Sequence, residues 1–305
     1  MSNKNLIWFK NKIIEEKDAK VSILSPTSQF GLNVFEGMRA YYNKKEDSLY
    51  VFRFQDHVDR LFHSCKVLSI ESKYTKEQIW SSLCELLKES NFKNDVSIRL
   101  TLFVDGSGGW SSTDKADMFI SPLQRPKKDV NTLKGASACI SSWERINDNS
   151  MPPRVKCGAN YVAGRYSHLL AKRSGYDLPI LLNNKGSIAE GAGACIFIIN
   201  DKELITPPLS SSILESITRD TIKSFAASIE LNYSEREINR TELYISDEIF
   251  LCGSSAEIIP IVSIDDIKIA DGNVGIYTKK ILQTYTDIAS NGSSISEYKK
   301  WLFKV

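Results

Sequence analysis

Histidine is scarce in this chain, and cysteine is present without pattern. Only His57, His63 and His168 occur among 305 residues, and Cys65, Cys84, Cys139, Cys157, Cys195 and Cys252 form no C-x-x-C pair. A Cys/His metal site therefore has no ligand set at a usable spacing. Free, mostly buried thiols in a reducing cytoplasm suit this usage better. No G-x-S-x-G stretch occurs, so with so few histidines a serine hydrolase would lack both its elbow and its base. Gly106-Ser107-Gly108-Gly109 is glycine-rich but lacks the Gly-Lys-Ser/Thr ending of a phosphate loop, and reads as a flexible loop. Neither sign of charge dominates. The 39 Lys and Arg against 37 Asp and Glu leave +2, which makes no electrostatic case for nucleic acid or a membrane surface. No apolar run approaches bilayer-spanning length, and Met-Ser-Asn-Lys-Asn-Leu-Ile-Trp lacks the apolar core of a signal peptide. The expectation is a cytoplasmic protein.

What is present is enough chain for one large or two ordinary domains, able to bury a core without disulfide or metal staples. Strands are expected at 6–9, 21–23 and 49–52. Phe54, Val58, Leu61, Phe62, Cys65 and Leu68 recur at three- and four-residue steps, which predicts an amphipathic helix over 54–68. Ile79, Trp80, Leu83, Leu86 and Leu87 predict a second. Residues 96–104 alternate, with Val96, Ile98, Leu100, Leu102 and Val104 on one face, so Arg99 projects from the other, towards solvent or a cleft. Residues 122–134 carry two prolines and four basic residues, and are expected to link a domain over 1–121 to one over 135–305. In the second half, strands are expected at 136–142, 178–182, 187–190, 195–199, 203–205 and 248–251. Helices are expected over 160–174, ended by Gly175, and from Ile217 to Ile229, capped by Ser216.

Chemistry concentrates between Lys156 and Gly193. Lys156-Cys157-Gly158-Ala159-Asn160-Tyr161 sets a lysine beside a small-residue turn and a tyrosine, and Gly186-Ser187-Ile188-Ala189-Glu190-Gly191-Ala192-Gly193 sets a glutamate in a glycine-flanked loop. Bound pyridoxal phosphate needs those groups: an amine for its aldehyde, an anion for its ring nitrogen and a donor for its ring oxygen. Taken singly, each has a plainer reading, as a surface lysine, a solvated glutamate or a packed aromatic. Ile217 and Thr218 open a helix, where backbone N–H groups and the dipole favour an anion. Ser254 lies on a turn able to do the same.

Six segments together resemble the fold-type IV (class IV) pyridoxal phosphate aminotransferases, and most of all the branched-chain aminotransferase family. They are Val34-Phe35-Glu36-Gly37-Met38-Arg39, His57-Val58-Asp59-Arg60-Leu61, Lys156 to Tyr161, Glu190-Gly191-Ala192-Gly193, Ile217-Thr218-Arg219-Asp220 and Gly253-Ser254-Ser255-Ala256-Glu257. The resemblance covers nearly the whole chain. It implies an α+β, α/β fold of two domains, a smaller N-terminal α/β domain and a larger C-terminal one with a β-barrel-like sheet core, assembled as a homodimer. It implies ping-pong transfer of an amino group between an amino acid and a 2-keto acid such as 2-oxoglutarate. By resemblance Lys156 is the catalytic lysine, while Arg60, Tyr161, Glu190, Ile217, Thr218 and Ser254 hold the cofactor. Phe30, Phe35, Arg39, Ser97, Arg99, Leu123, Arg125, Ser254 and Ser255 then line the substrate pocket, with Arg99 meeting the second carboxylate of glutamate.

The match lapses in that pocket. Phe30 and Ser97 stand where tyrosines are usual, and Leu123 and Pro126 replace a tryptophan and a tyrosine, with Gln124 and Arg125 between them. Such changes enlarge a pocket or make it more polar, and so admit a substrate other than leucine, isoleucine or valine. Ordinary loop variation explains them equally. A lyase of the same fold would keep Lys156, Glu190 and Arg60; the 34–39 motif and Arg99 lean towards transamination. An idle cofactor carrier would have no use for the lysine.

Overall fold

The computed structural model describes residues 5–291 and 296–305. The chain divides into two compact units, one comprising residues up to Lys127 with Val155–Ala159 and Ile288–Val305, the other Lys128–Arg154 and Asn160–Asp287. The expected division into 1–121 and 135–305 places the 155–159 and C-terminal segments differently.

The first unit opens with a hairpin, β1 (Leu6–Phe9) and β2 (Lys12–Glu15), turned through positive φ at Lys10 and Asn11. α1 (Pro26–Phe30), β3 (Asn33–Asn43), β4 (Ser48–Phe52), α2 (Phe54–Val67) and α3 (Lys76–Ser90) follow. β5 (Val96–Phe103) and β6 (Asp117–Gln124) complete its main sheet. α3 starts in a capping box, Thr75 with Gln78, and stops at Asn91 in the left-handed region. Ile79, Leu83 and Leu86 on α3, and Val58 and Leu61 on α2, are fully buried, as their spacing predicts.

Two expectations fail here. Residues 21–23 form no strand; Ser25 N–H closes a turn on the Ser22 carbonyl, and Val21 and Ile23 are exposed. A short apolar run with no neighbouring strand to pair with has nothing to hold it extended. The expected linker also begins too early, since β6 runs on to Gln124. Pro122 is tolerated there because β1 pairs with β6 only at Phe119 and Ile120, which leaves the later residues at an edge.

The second unit holds β7 (Ala136–Ile140), α4 (Tyr161–Arg173), β8 (Leu178–Leu182), β9 (Ile188–Gly191), β10 (Cys195–Asn200) and β11 (Glu203–Thr206). After these come α5 (Ile217–Phe225), β12 (Asn232–Glu235), α6 (Arg240–Tyr244), β13 (Glu248–Gly253), β14 (Glu257–Ile264) and β15 (Ile267–Lys268). α7 (Ile276–Asn291) returns the chain to the first unit, whose sheet gains β16 (Leu302–Lys304) in the order β16-β4-β3-β5-β6-β1-β2. The second sheet runs β12-β11-β10-β13-β14-β7-β8-β9, with β15 on β14. β9 ends that order, yet residues 192–194 alone join it to β10 inside it, with Gly191 N–H donating to the Ala194 carbonyl at 2.8 Å. So short a connection obliges the sheet to curl into the half-barrel expected. Ile180, Ile188, Ile196, Leu251 and Ile261 fill it. Among the described residues no helix is long and apolar enough to cross a membrane.

Candidate active site

In the first unit the candidate residues collect on β3 and α2. Alternation sets Phe35, Gly37 and Arg39 on one face of β3, with Thr101, Arg99 and Ser97 beside them on β5, and Phe119, Ser121 and Leu123 beyond on β6. Phe35, Arg39, Ser97, Arg99 and Leu123 thus share one sheet face. A Cβ on Gly37 would meet nothing within 4 Å, so that face is open next to Arg99. The Arg99 guanidinium carbon lies 4.1 Å from the centre of the Phe35 ring, and Lys156 Nζ lies 5.0 Å from it. Both side chains thus stand beside one aromatic ring. Arg39 is buried and donates from Nη2 to the Arg125 carbonyl at 2.8 Å, so it secures the chain that follows β6. Phe30, which ends α1, and Leu123 are both exposed.

Lys156 is held by its backbone. Residues 33–35 of β3 precede the pairing with β4, which starts at Ala40, and segment 155–159 takes that place. Phe35 N–H donates to the Lys156 carbonyl (2.9 Å), Gly158 N–H to Asn33 Oδ1 (3.2 Å) and Lys156 N–H to Ser64 Oγ (3.1 Å).

Ser64 continues a stripe of α2 that includes His57 and Arg60, at helical spacing. On the far face of β3, buried Glu36 accepts from Arg60 Nε and Nη2 and from His57 Nδ1, each at 2.7 Å. Burial works to raise the Glu36 pKa, but the charge and hydrogen bonds of Arg60, with those of His57, hold it down at about 2. Burial lowers the pKa of His57 despite the carboxylate beside it, which favours a neutral ring donating from Nδ1.

The second unit gathers its candidates around Gly193. Tyr161 begins α4, which passes so close to the loop after β9 that a Cβ on Gly164 would lie 2.6 Å from the Ala192 carbonyl oxygen. Only glycine permits that approach. Tyr161 Cε1 is 3.6 Å from where a Cβ of Gly193 would be, and the Gly193 carbonyl oxygen is 3.7 Å from the corresponding point on Gly253. Beyond Gly253, Ser254 Oγ and Thr218 Oγ1 stand 3.4 Å apart, with exposed Ser255 next in the turn. Ile217 and Thr218 open α5, whose cap, Ser216, accepts from Arg219 N–H at 3.2 Å. Two hydroxyls and a helix start on one side, and a phenol on another, make a set of donors suited to an anion and a ring oxygen.

Glu190, buried on β9, accepts from Arg145 Nε at 2.7 Å. Leu214 N–H reaches its two oxygens at 3.4 and 3.3 Å, and Cys195 Sγ lies 3.6 Å away. Burial raises the Glu190 pKa, and the Arg145 charge opposes this without prevailing. Burial thus outweighs the one cation beside this carboxylate, and a protonated ring nitrogen is the kind of group its position would take. The donor set therefore fits pyridoxal phosphate. Glu36, His57, Ser64 and Arg145 do not stand out as site residues in the sequence. The first two stand inside quoted motifs, whereas Arg145 meets its partner 45 residues away and carries no local signal.

The family model for amino-transferase class IV matches residues 33–264. The probable branched-chain-amino-acid aminotransferase of Aquifex aeolicus (strain VF5) is 37% identical over 300 residues, covering 98% of this chain and 96% of that protein. The branched-chain amino acid aminotransferase of Thermobaculum terrenum, solved in its PLP form, superposes with a TM-score of 0.91 at 34% identity, covering 100% of this chain and 99% of that one. The branched-chain aminotransferase of Thermoproteus uzoniensis, solved with norvaline, gives a TM-score of 0.90 at 35% identity, covering 99% of each chain.

Proposed function

The chain belongs to the class IV aminotransferases, which work with pyridoxal phosphate, and we propose that it exchanges amino groups between branched-chain amino acids and 2-keto acids such as 2-oxoglutarate. The substrate class follows the names of its relatives and the aliphatic norvaline bound by one of them. The Phe30, Ser97, Leu123 and Pro126 departures gain no support from those names as marks of a specialised substrate.

When bound, pyridoxal phosphate supplies an aldehyde for amino groups and a ring that draws electrons from the substrate α-carbon. Lys156 offers the amine that retains the cofactor, and once released moves a proton at that α-carbon. An arginine there would stay protonated and could do neither. Arg60, Thr218, Ser254 and the N–H groups at Ile217 hold the phosphate. Tyr161 donates to the ring oxygen, and Glu190 keeps the ring nitrogen protonated. The amides of Ser254 and Ser255 hold the substrate α-carboxylate. Arg99 takes the second carboxylate of a dicarboxylic partner, on a sheet face shared with Phe35, Arg39, Ser97 and Leu123, while Phe30 and Arg125 border the side chain. We place the protein in the cytoplasm as a homodimer.

The observation that carries this reading is the buried Glu190 on the same unit as Tyr161 and the Thr218–Ser254 pair. Its test is a visible spectrum of the purified protein with added pyridoxal phosphate, then with leucine, isoleucine or valine. The expected result is a yellow protein bleached by those donors. Lys156→Ala should retain the fold and lose covalent retention and turnover, by about a thousandfold or more. A protein that takes up no cofactor overturns the reading.

A further inference from the structure

One buried carboxylate joins the strand that anchors Lys156 to the helix that carries Arg60. We propose that Glu36, with His57 behind it, is a positioning residue that sets the plane of the Arg60 guanidinium for an incoming phosphate. The inference rests on the cofactor reading above.

The geometry is that of a clamp. Glu36 Oε1 takes Arg60 Nε and Glu36 Oε2 takes Nη2, two nearly equal bonds that fix a planar group in orientation as well as in distance. His57 Nδ1 braces Oε2 from the same helix. Glu36 is fully buried, His57 is 1% exposed, and the Arg60 side chain keeps 12% exposure. Of the three, then, Arg60 is the group that reaches towards a ligand. A buried ion pair is a poor device for stability alone, because packed apolar residues commonly do as well. Fixing a guanidinium in one plane is something apolar residues cannot do.

The proposal opposes simple electrostatics. Glu36 puts a negative charge against the cation expected to receive a phosphate, so net charge alone would make Glu36 a handicap. Glu36→Gln removes that charge. On electrostatic grounds it tightens phosphate binding. On positioning grounds it weakens it, because the amide can accept from only one edge atom of the guanidinium and sets an N–H against the other.

The experiment titrates the cofactor-free protein with pyridoxal phosphate and, separately, with pyridoxal, which lacks the phosphate. The readout is the ratio of the two dissociation constants, in which a general loss of folded protein cancels. Wild type should show a large advantage for the phosphate. Glu36→Gln should cut it about tenfold, the worth of one charge-assisted hydrogen bond, while pyridoxal binding changes less than about threefold. Glu36→Asp, which keeps the charge but withdraws it by one methylene, should also cut the advantage, and decides the matter if Glu36→Gln does not fold. An advantage that is unchanged or increased in these variants overturns the proposal. A wild type with no advantage for the phosphate overturns the phosphate site itself, a different failure.

Discussion

Glu36 and Glu190 are both buried carboxylates, each facing an arginine at 2.7 Å, one in each unit of the chain. Their proton affinities nevertheless move in opposite directions, Glu36 down to about 2 and Glu190 upward. Burial pushes both up, so the difference lies in what answers it. Glu36 has both edge atoms of a guanidinium and an imidazole donor. Glu190 has a single guanidinium nitrogen, a long backbone hydrogen bond and a thiol. A satisfied carboxylate organises its neighbours. One whose burial outweighs its cation is ready for another partner, and that distinguishes a scaffold charge from a working one.

The widest separation between the two should appear when each is made an amide. Glu190→Gln should lower turnover about a thousandfold, within the range of acid–base contributions, with a small loss of stability. Glu36→Gln should reverse the emphasis and cost about 3 kcal/mol in urea unfolding of the cofactor-free protein, as expected for a broken buried pair. Equal stability losses would erase the distinction.

Acid titration of stability provides a second, smaller contrast. Glu36 has a folded-state value near 2 against an ordinary 4.5, so its contribution is complete above about 4.5 and disappears as pH falls towards 2. Glu190 behaves oppositely, since its raised value makes its charge a cost that grows as pH rises above about 4.5. As pH falls, wild type should lose stability relative to Glu36→Gln between about pH 5 and about pH 3, and gain it relative to Glu190→Gln above about pH 4.5. Parallel curves would show that the two sites do not differ.

The smallest effect concerns Arg145. Arg145→Gln removes the cation from Glu190, so burial raises the carboxyl further and the acidic limb of the kcat profile should move to higher pH, with turnover recovering above it. A limb that stays in place would make Arg145 part of the scaffold only.

Much of the fold was legible because local patterns and tertiary packing agree. The alternation at 96–103 and the stripe of Val58, Leu61 and Cys65 survive in the structure as buried faces. Legibility failed where the deciding partner is remote. Pro122 reads as the start of a linker because nothing nearby shows that β1 leaves it at an edge. Val21 and Ile23 read as a strand because nothing nearby shows that no partner arrives. Lys156, Tyr161 and Glu190 stood out as residue types, but the clamp on Arg60 did not. Its members are 21 and 24 residues from Glu36, and only the pairing of strand with helix makes them neighbours.

The short segment 155–159 packs with the first unit while the chain on both sides of it packs with the second. Its anchors, Ser64 and Asn33, lie 92 and 125 residues earlier in the chain. Closing loops of that length is slow, and the lysine is not set until β3 and α2 already exist. Covalent capture by Lys156 should therefore follow the assembly of that strand and helix.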